Sequence, residues 1–159
     1  MKTTSKTNAL RLAESAGLLF TAYEYDISDN RIDANSIAEK IGRSPQEVFK
    51  TLVTTTPAHE YFVFIVPAAN ELDLKKAAKA AARKSIEMIP LKELLPLTGY
   101  VHGGCSPLGM KKLFPTFIDE TAILFDTICV SGGRVGLNIA VDPEKLSEVI
   151  NAEFADITK

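Results

Sequence analysis

A glycine-rich segment, Gly103-Gly104-Cys105-Ser106-Pro107-Leu108-Gly109, has the residue types best suited to a reactive site. Adjacent glycines leave backbone N–H groups open to a ligand, and such donors stabilise the oxyanion that develops at an acyl carbon under attack. Ser106-Pro107 and Gly109 are also typical turn residues, so a structural turn is an equally good interpretation of the segment alone. The segment has neither the Gly-Lys-Ser/Thr of a phosphate-binding loop nor the spacing of a dinucleotide fingerprint.

Two further segments carry polar groups beside apolar runs. Lys50 stands at the head of Phe49–Val53, where its ammonium either extends to solvent or enters a cleft to hold a phosphate or polarise a carbonyl. Ser131 begins Ser131-Gly132-Gly133-Arg134 at the end of another apolar run. This second segment is typical of a hairpin turn, and its functional interpretation is a pocket rim shared with the first glycine segment.

Cys105 follows His102 by three residues, which suggests a cysteine–histidine hydrolase of another substrate class as one alternative. Residues three apart in a glycine-rich loop have no set geometry, and no third group that would orient the histidine is evident. The chain has two histidines and two cysteines without zinc-ligand spacing, so we expect neither a metal nor a cofactor.

Basic residues form two clusters in a chain whose formal net charge is −2. Lys75, Lys79 and Arg83 are spaced by four on a predicted helix, and Lys111-Lys112 follow the glycine segment. A solvated helix face is the common explanation of such clusters. The functional interpretation is a small patch that binds phosphates with salt-sensitive affinity.

The elements that must position these residues are those of a mixed α/β domain. Apolar periodicity and capping signals predict helices over Thr7–Ala16, Ala34–Ile41, Leu72–Lys84, Leu91–Leu95 and from Asp142-Pro143 onward. Alternating or continuous apolar runs predict strands over Phe20–Tyr25, Lys50–Thr56, Tyr61–Val66, Ile86–Ile89, Thr116–Ile118, Ala122–Leu124, Thr127–Ser131 and Gly136–Val141. Strands outnumber helices in the second half, so we expect a mixed, curled sheet with surrounding helices rather than a regularly alternating parallel sheet.

The bulk composition fits a single domain over residues 1–159, with 46% hydrophobic and 24% charged residues. Tyr61–Ala69 is among the longest apolar stretches, and it is far shorter than a bilayer span. Met1–Asn8 is polar and lacks the apolar core of a signal peptide. Cys105 and Cys129 are too few for a disulfide scaffold, and we therefore expect a cytoplasmic protein without a membrane association.

The ordered set of motifs resembles the YbaK family of aminoacyl-tRNA deacylases, which is related to the editing domain inserted in bacterial prolyl-tRNA synthetases. The resemblance runs nearly end to end through Tyr25-Asp26, Phe49–Leu52, Leu72–Lys79, Thr98–Tyr100, Gly103–Gly109, Lys111-Lys112, Ser131–Arg134 and Ala152–Ile157. It implies a barrel-like sheet and trans-editing, the hydrolysis of the ester between a wrong amino acid and tRNA. Cys-tRNA(Pro) is the first expected substrate, with alanine or another small residue left open.

The resemblance also implies roles for individual residues. Lys50 and the N–H groups of Gly103 and Gly104 are implied to be catalytic, and the aminoacyl end would be surrounded by Tyr25, Thr51, Ser106, Ser131 and Gly132. The candidates for tRNA contact are Lys75, Lys79, Arg83, Lys111 and Lys112. In the cysteine-specific branch the substrate's own thiol is proposed to attack its carbonyl, a lyase-like step that needs no protein nucleophile.

The implied partners are the acceptor end of tRNA, tRNA(Pro) first, and a prolyl-tRNA synthetase. A non-catalytic module that binds the tRNA acceptor end or a nucleotide beside a synthetase is the alternative function. It would use the same cleft without turnover.

Overall fold

The computed structural model describes residues 6–159, so Met1–Ser5 of the polar N-terminus lie outside the described part. The helices are α1 Asn8–Ser15, α2 Ala34–Ile41, α3 Leu74–Ala80, α4 Leu94–Thr98 and α5 Pro143–Ile150. The strands are β1 Phe20–Glu24, β2 Phe49–Thr55, β3 Tyr61–Pro67, β4 Glu87–Met88, β5 Thr116–Asp119, β6 Ile128–Arg134, β7 Leu137–Val141 and β8 Ala152–Ala155. Short 3₁₀ turns occupy Pro45–Glu47, Leu91–Glu93 and Glu120–Leu124.

These strands form two sheets. A three-stranded sheet has the order β1-β7-β6, and a five-stranded sheet has the order β4-β2-β3-β5-β8. Pairing is antiparallel except between β3 and β5 and between β5 and β8, which are parallel. The predicted mixed α/β fold is therefore confirmed. The barrel-like expectation is corrected in one respect, because the strands remain in two sheets that a single parallel bridge, Val48 to Cys129, connects.

The core lies on both faces of the five-stranded sheet. On one face, β3 residues Val63 and Ile65 pack with Val130 and Ile139 of the other sheet in the largest apolar cluster. On the opposite face, Phe62, Phe64 and Val66 pack with the alanines of α3. The strand predicted over Tyr61–Val66 is confirmed as β3. It is the middle strand of its sheet, and a strand covered on both faces has a nearly continuous apolar sequence.

Polar side chains begin the helices at the predicted places. The Asp142 carboxylate accepts hydrogen bonds from the N–H groups of Glu144 and Lys145, and Pro143 occupies the first turn of α5. A capping box is present at Ser44–Glu47, where it opens a 3₁₀ turn before β2. None of the helices in the described part of the chain has the length and apolar content needed to cross a membrane.

Two predicted elements differ from the structure, and one strand was not predicted. The helix predicted over Leu72–Lys84 ends at Ala80, because Ala82 takes a left-handed conformation with φ +57°. The apolar stretch Ala122–Leu124 is a 3₁₀ turn and not a strand, and an unpredicted strand follows α5 as β8. The Arg83 N–H donates to the Ala78 carbonyl at 2.9 Å and closes the end of α3, a termination that the helix propensity of alanine does not predict.

Substitution of Gly109 tests how closely the glycine segment packs against the start of α1. Its φ is +76°, and a Cβ there would stand 2.8 Å from the backbone C and O of Asn8. Gly17 has a similar φ of +72° with nothing within 4 Å of a Cβ. We predict that Gly17→Ala costs about 1 kcal/mol of unfolding free energy through backbone strain, and that Gly109→Ala costs about 1–3 kcal/mol more through overpacking. Urea denaturation of both variants measures the difference, and equal losses would contradict it.

Candidate active site

A cleft of about 540 Å³ opens where the two sheets meet. The Val48–Cys129 bridge joins the start of β2 to β6, and it is the only strand pairing between the two sheets within residues 6–159. The cleft is therefore bounded by β2 on one side and by the β6–β7 pair on the other. Its polar lining includes Tyr25, Asn30, Asp33, Lys50, Thr51, His102, Ser131 and Asn138.

Thr51 lies between two attachments on the outer edge of β2. Val48 pairs with Cys129 before it, and the N–H of Ile89 donates to the Val53 carbonyl after it at 3.3 Å. The Thr51 hydroxyl is buried and has no hydrogen-bond partner among residues 6–159. Buried hydroxyls are normally hydrogen-bonded, and Thr51 lines the cleft, so this group is a candidate to bond a ligand there.

Lys50 is half-buried and lines the same cleft. Lys50 pairs in register with Val66 of β3, while β4, on the other edge of β2, pairs only with Thr54 and Thr55. Within the described part of the chain, no carboxylate lies close enough to the Lys50 ammonium to form an ion pair. A cation that is partly shielded from water and not neutralised locally can hold a phosphate or stabilise negative charge on a carbonyl oxygen.

The two glycines of the expected oxyanion site are placed differently. Gly103 lines the cleft with a φ of +83°. The N–H of Gly104 donates to the Val101 carbonyl at 3.0 Å, so this N–H is already engaged in a turn. A Cβ on Gly104 would stand 3.0 Å from both the Cα of Arg134 and the N of Val135. Gly104 thus allows close packing of the loop on the β6–β7 hairpin, and Gly103 is the member that faces the cleft.

Ser131 and Asn138 face each other across β6 and β7 and both line the cleft. The Ser131 hydroxyl oxygen accepts a hydrogen bond from the Gly133 N–H at 3.1 Å, which leaves its own hydrogen able to donate. Asn138 is 5% exposed and was missed from the sequence, although a lone amide within the apolar run Leu137–Val141 was the signal that could have found it.

Two residues expected around the aminoacyl end lie away from the cleft lining. Ser106 is fully buried, and its hydroxyl oxygen accepts a hydrogen bond from the Leu108 N–H at 3.2 Å. Gly132 is buried, and its carbonyl accepts a hydrogen bond from the Thr7 hydroxyl. Both residues stabilise turns that shape the cleft, whereas Tyr25, Thr51 and Ser131 reach it directly.

Cys105 lies in the lining of the cleft and is only 7% exposed. Burial raises the pKa of its thiol to about 12, and a hydrogen bond with Thr98 opposes that rise only in part. His102 lies exposed on the rim. A thiol with this pKa is protonated at neutral pH, which argues against Cys105 as a nucleophile.

The basic residues expected to contact tRNA differ in whether a protein group already pairs with them. Arg83 lies beyond the end of α3, and its guanidinium makes two hydrogen bonds of 2.8 Å to the Glu60 carboxylate, which neutralises its charge. Lys75 and Lys79 are exposed on α3. Lys111 donates to the Pro96 carbonyl at 3.2 Å and so lies beside α4, whose Leu94 lines the cleft. Lys112 is exposed next to it.

Comparison with known proteins assigns this chain to a family. The model of the aminoacyl-tRNA editing domain matches residues 30–149, about three quarters of the chain. The chain belongs to the aminoacyl-tRNA editing domain family. The family predicted from the sequence is thus confirmed, and with it the class of activity, editing of aminoacyl-tRNA.

Individual relatives agree with this assignment. A protein of Enterococcus faecalis named as a proposed Cys-tRNA(Pro)/Cys-tRNA(Cys) deacylase, EbsC, is 44% identical over 157 residues, which cover 99% of this chain and 96% of the relative. The crystal structure of a proposed trans-editing enzyme for prolyl-tRNA synthetase is 24% identical, with a TM-score of 0.84 and coverage of 98% of this chain and 99% of the other. Hypothetical protein APE2540 is 20% identical, with a TM-score of 0.87 and coverage of 96% and 99%. The two structures share the fold.

Alkylation tests the state of Cys105. With a pKa of about 12, the thiolate fraction at pH 8 is on the order of one in ten thousand. We predict that iodoacetamide labels neither Cys105 nor Cys129 in the folded protein within the time that it labels both in urea, as counted by mass spectrometry. Cys105→Ala serves as the control that assigns any label to one thiol. Rapid labelling of folded Cys105 at pH 8 would contradict the burial and reopen its nucleophilic role.

Proposed function

We propose that this chain is a trans-editing deacylase that hydrolyses misacylated tRNA, with Cys-tRNA(Pro) as its preferred substrate. The observation that carries the proposal is a cleft in which Lys50, the unpaired Thr51 hydroxyl and Ser131 converge, without an activated nucleophile among its lining residues. Such a site binds and orients an ester more readily than it attacks one. The name of the 44% identical relative supports the same substrate class.

In the proposed reaction, the side-chain thiol of the bound cysteine supplies the nucleophile. Its sulfur forms a bond to the cysteinyl carbonyl carbon, the ester C–O bond breaks, and the terminal tRNA hydroxyl leaves with the proton. Water then opens the resulting thiolactone to free cysteine. Lys50 and the Gly103 N–H would stabilise the oxyanion of the tetrahedral intermediate, while Thr51 and Ser131 hold the aminoacyl group.

The cleft also suits selection by size. Ile32, Ile37 and Leu52 contribute apolar walls around the polar groups, so a small side chain fits where a larger one would meet packed aliphatic groups. A steric limit of this kind discriminates most strongly against oversized amino acids. Proline attached correctly to tRNA(Pro) would accordingly be spared.

The proposed partners follow from the substrate. The acceptor end of tRNA would enter the cleft, and its phosphates would contact Lys111 and Lys112, with Lys75 and Lys79 as more remote candidates. Arg83 is the weakest of these candidates because Glu60 already pairs with it. A prolyl-tRNA synthetase is the proposed source of the mischarged tRNA, and the cytoplasm is the compartment where both occur.

Deacylation of Cys-, Ala- and Pro-tRNA(Pro) tests the function and the role of Lys50 together. We predict turnover of Cys-tRNA(Pro) by the wild type and a loss of about 100-fold in kcat/KM for Lys50→Ala, the usual cost of removing one group that stabilises a transition-state oxyanion. Lys145→Ala, on the exposed side of α5, is the matched control and should retain full activity.

Two outcomes would contradict these assignments separately. Equal activity of wild type and Lys50→Ala on every substrate would remove Lys50 from the mechanism. If none of the three substrates is hydrolysed while the tRNA acceptor end still binds, the alternative function, a non-catalytic binding module, would be favoured over the enzyme.

Salt dependence tests the phosphate contact assigned to Lys112. Each neutralised phosphate contributes to the slope of log affinity against log salt, and loss of one contact lowers that slope by about one. Between about 50 and 200 mM salt, we predict that Lys112→Ala lowers the slope of log KM against log salt by about one. Lys145→Ala should leave this slope unchanged. A slope equal to that of the wild type would place Lys112 outside the tRNA contact surface.

A further inference from the structure

The segment 26–33 forms one rim of the cleft without an anchor in the core. All eight of its residues are exposed. Asn30, Ile32 and Asp33 nevertheless line the cleft, and the Ile32 Cδ1 lies 3.4 Å from the position of a Cβ on Gly103. This rim segment therefore reaches across to the glycine segment, and polar contacts must hold it in place.

Local hydrogen bonds give the rim segment its internal shape. The Asp26 carboxylate accepts from the N–H and the hydroxyl of Ser28, and the Asp29 carboxylate accepts from the Arg31 N–H at 3.0 Å. Asn30 takes a left-handed conformation with φ +59° and donates to the Ile27 carbonyl. These bonds fold residues 26–31 into turns and lie within the segment. At its end, the Asp33 carboxylate accepts from the N–H and the hydroxyl of Ser36 and so caps α2, the helix that follows directly.

Lys40, near the end of α2, attaches residues 26–31 to the same helix. Its ammonium donates to the Asp26 carbonyl at 2.7 Å, to the Asp29 carboxylate at 2.8 Å and to the Arg31 carbonyl at 2.9 Å. An ammonium has three hydrogens, so every donor of Lys40 is used on the rim segment. The side chain is only 19% exposed, and its ammonium lies 6.0 Å from the centre of the Tyr25 ring.

We propose that Lys40 is a positioning residue that holds the rim segment 26–33 closed over the cleft and thereby sets the size of the aminoacyl pocket. The inference rests on the proposed function for its substrate, and on the three hydrogen bonds for its geometry. Lys40 does not line the cleft. It acts through Ile32 and Asn30, which do.

Two of the three carboxylates of the rim segment, Asp26 and Asp29, support a closed state at neutral pH. Hydrogen bonding by Lys40 and by the Arg31 N–H lowers the pKa of Asp29, and hydrogen bonding by Ser28 lowers the pKa of Asp26. Both groups are therefore ionised and able to accept these bonds at neutral pH. Because their pKa values are lowered in the folded state, their contribution is complete above the unfolded pKa and is lost as the pH falls.

Lys40→Met tests the proposal, since methionine keeps an apolar stem and removes all three donors. We expect amide hydrogen exchange of Ser28, Asn30 and Arg31 to rise at least about tenfold, because hydrogen bonds to a charged group are among the stronger ones. With Cys-tRNA(Pro), we expect KM to rise about fivefold or more while kcat stays within about twofold, and activity on Pro-tRNA(Pro) to rise relative to Cys-tRNA(Pro).

Lys76→Met is the matched control. Its ammonium also donates to a carboxylate, that of Asp156, and to a carbonyl, that of Thr158, but it lies on α3 and outside the cleft lining. Exchange in the rim segment and KM should equal those of the wild type in this variant. Asp29→Ala removes one of the three acceptors and should move exchange and KM in the same direction as Lys40→Met by a smaller factor, which keeps the test decisive if Lys40→Met fails to fold.

The outcomes separate the positioning role from the proposed function. Wild-type exchange of the rim segment in Lys40→Met, or a fall in kcat at unchanged KM, would overturn the positioning role. If the wild type hydrolyses none of the three aminoacyl-tRNAs, the proposed function fails. The exchange comparison still decides in that case whether Lys40 holds the segment, because it requires no substrate.

Discussion

The parallel bridge between Val48 and Cys129 is the contact on which the geometry of the cleft depends. It joins the two sheets at the start of β2, and both residues are almost completely buried. Beyond the bridge, β2 pairs with β3 and β6 pairs with β7, and the cleft lies between residues of these two pairs. The cleft is thus a consequence of two sheets that share one point of pairing, and its volume depends on what spans the remaining opening.

The edge of β2 explains why consecutive residues can serve one site. Side chains of Lys50 and Thr51 point to opposite faces of a strand. They line the same cleft because the cleft is bounded by the strand's edge rather than by either face. β4 pairs only with Thr54 and Thr55, which leaves the edge open further back, near Thr51. A short β4 is therefore a condition for the site as well as a feature of the fold.

The sequence predicted the elements with strong periodicity or capping signals and missed those that tertiary packing decides. The apolar run Tyr61–Val66 and the Asp142-Pro143 start of α5 were recognisable because burial on both faces and helix capping leave direct marks. The end of α3 was not recognisable, since no residue in this alanine-rich segment indicates that Ala82 takes a left-handed conformation. The strand β8 was missed because its partly exposed edge position imposes little pattern.

The candidate site was predicted in the same uneven way. Lys50, Thr51, Gly103, Ser131 and Tyr25 were named from motifs and do line the cleft. Gly104 was named as one of two adjacent glycines, and Ser106 was named from the family resemblance. In the structure, Gly104 packs against the backbone of Arg134 and Ser106 accepts from the Leu108 N–H, so both support the loop. Residue type alone does not distinguish a glycine that admits a ligand from one that admits another strand. Lys40 and Asn138 carried no motif, and only the folded chain shows what they face.

A site without an activated nucleophile makes positioning the main source of specificity. Cys105 is kept protonated by burial, and Lys50 is the cation that the cleft presents next to the orphan Thr51 hydroxyl. If the reacting thiol belongs to the substrate, an amino acid without one would bind and yet react slowly, so chemistry would reinforce the steric filter. The apolar walls of the cleft then need only be placed well enough to orient a small side chain. The position of one wall depends on the rim segment, which approaches Gly103 through Ile32 and is attached to α2 through Lys40. The selection of the correct aminoacyl group would accordingly depend on the hydrogen bonds of Lys40 as well as on the packing of the apolar core.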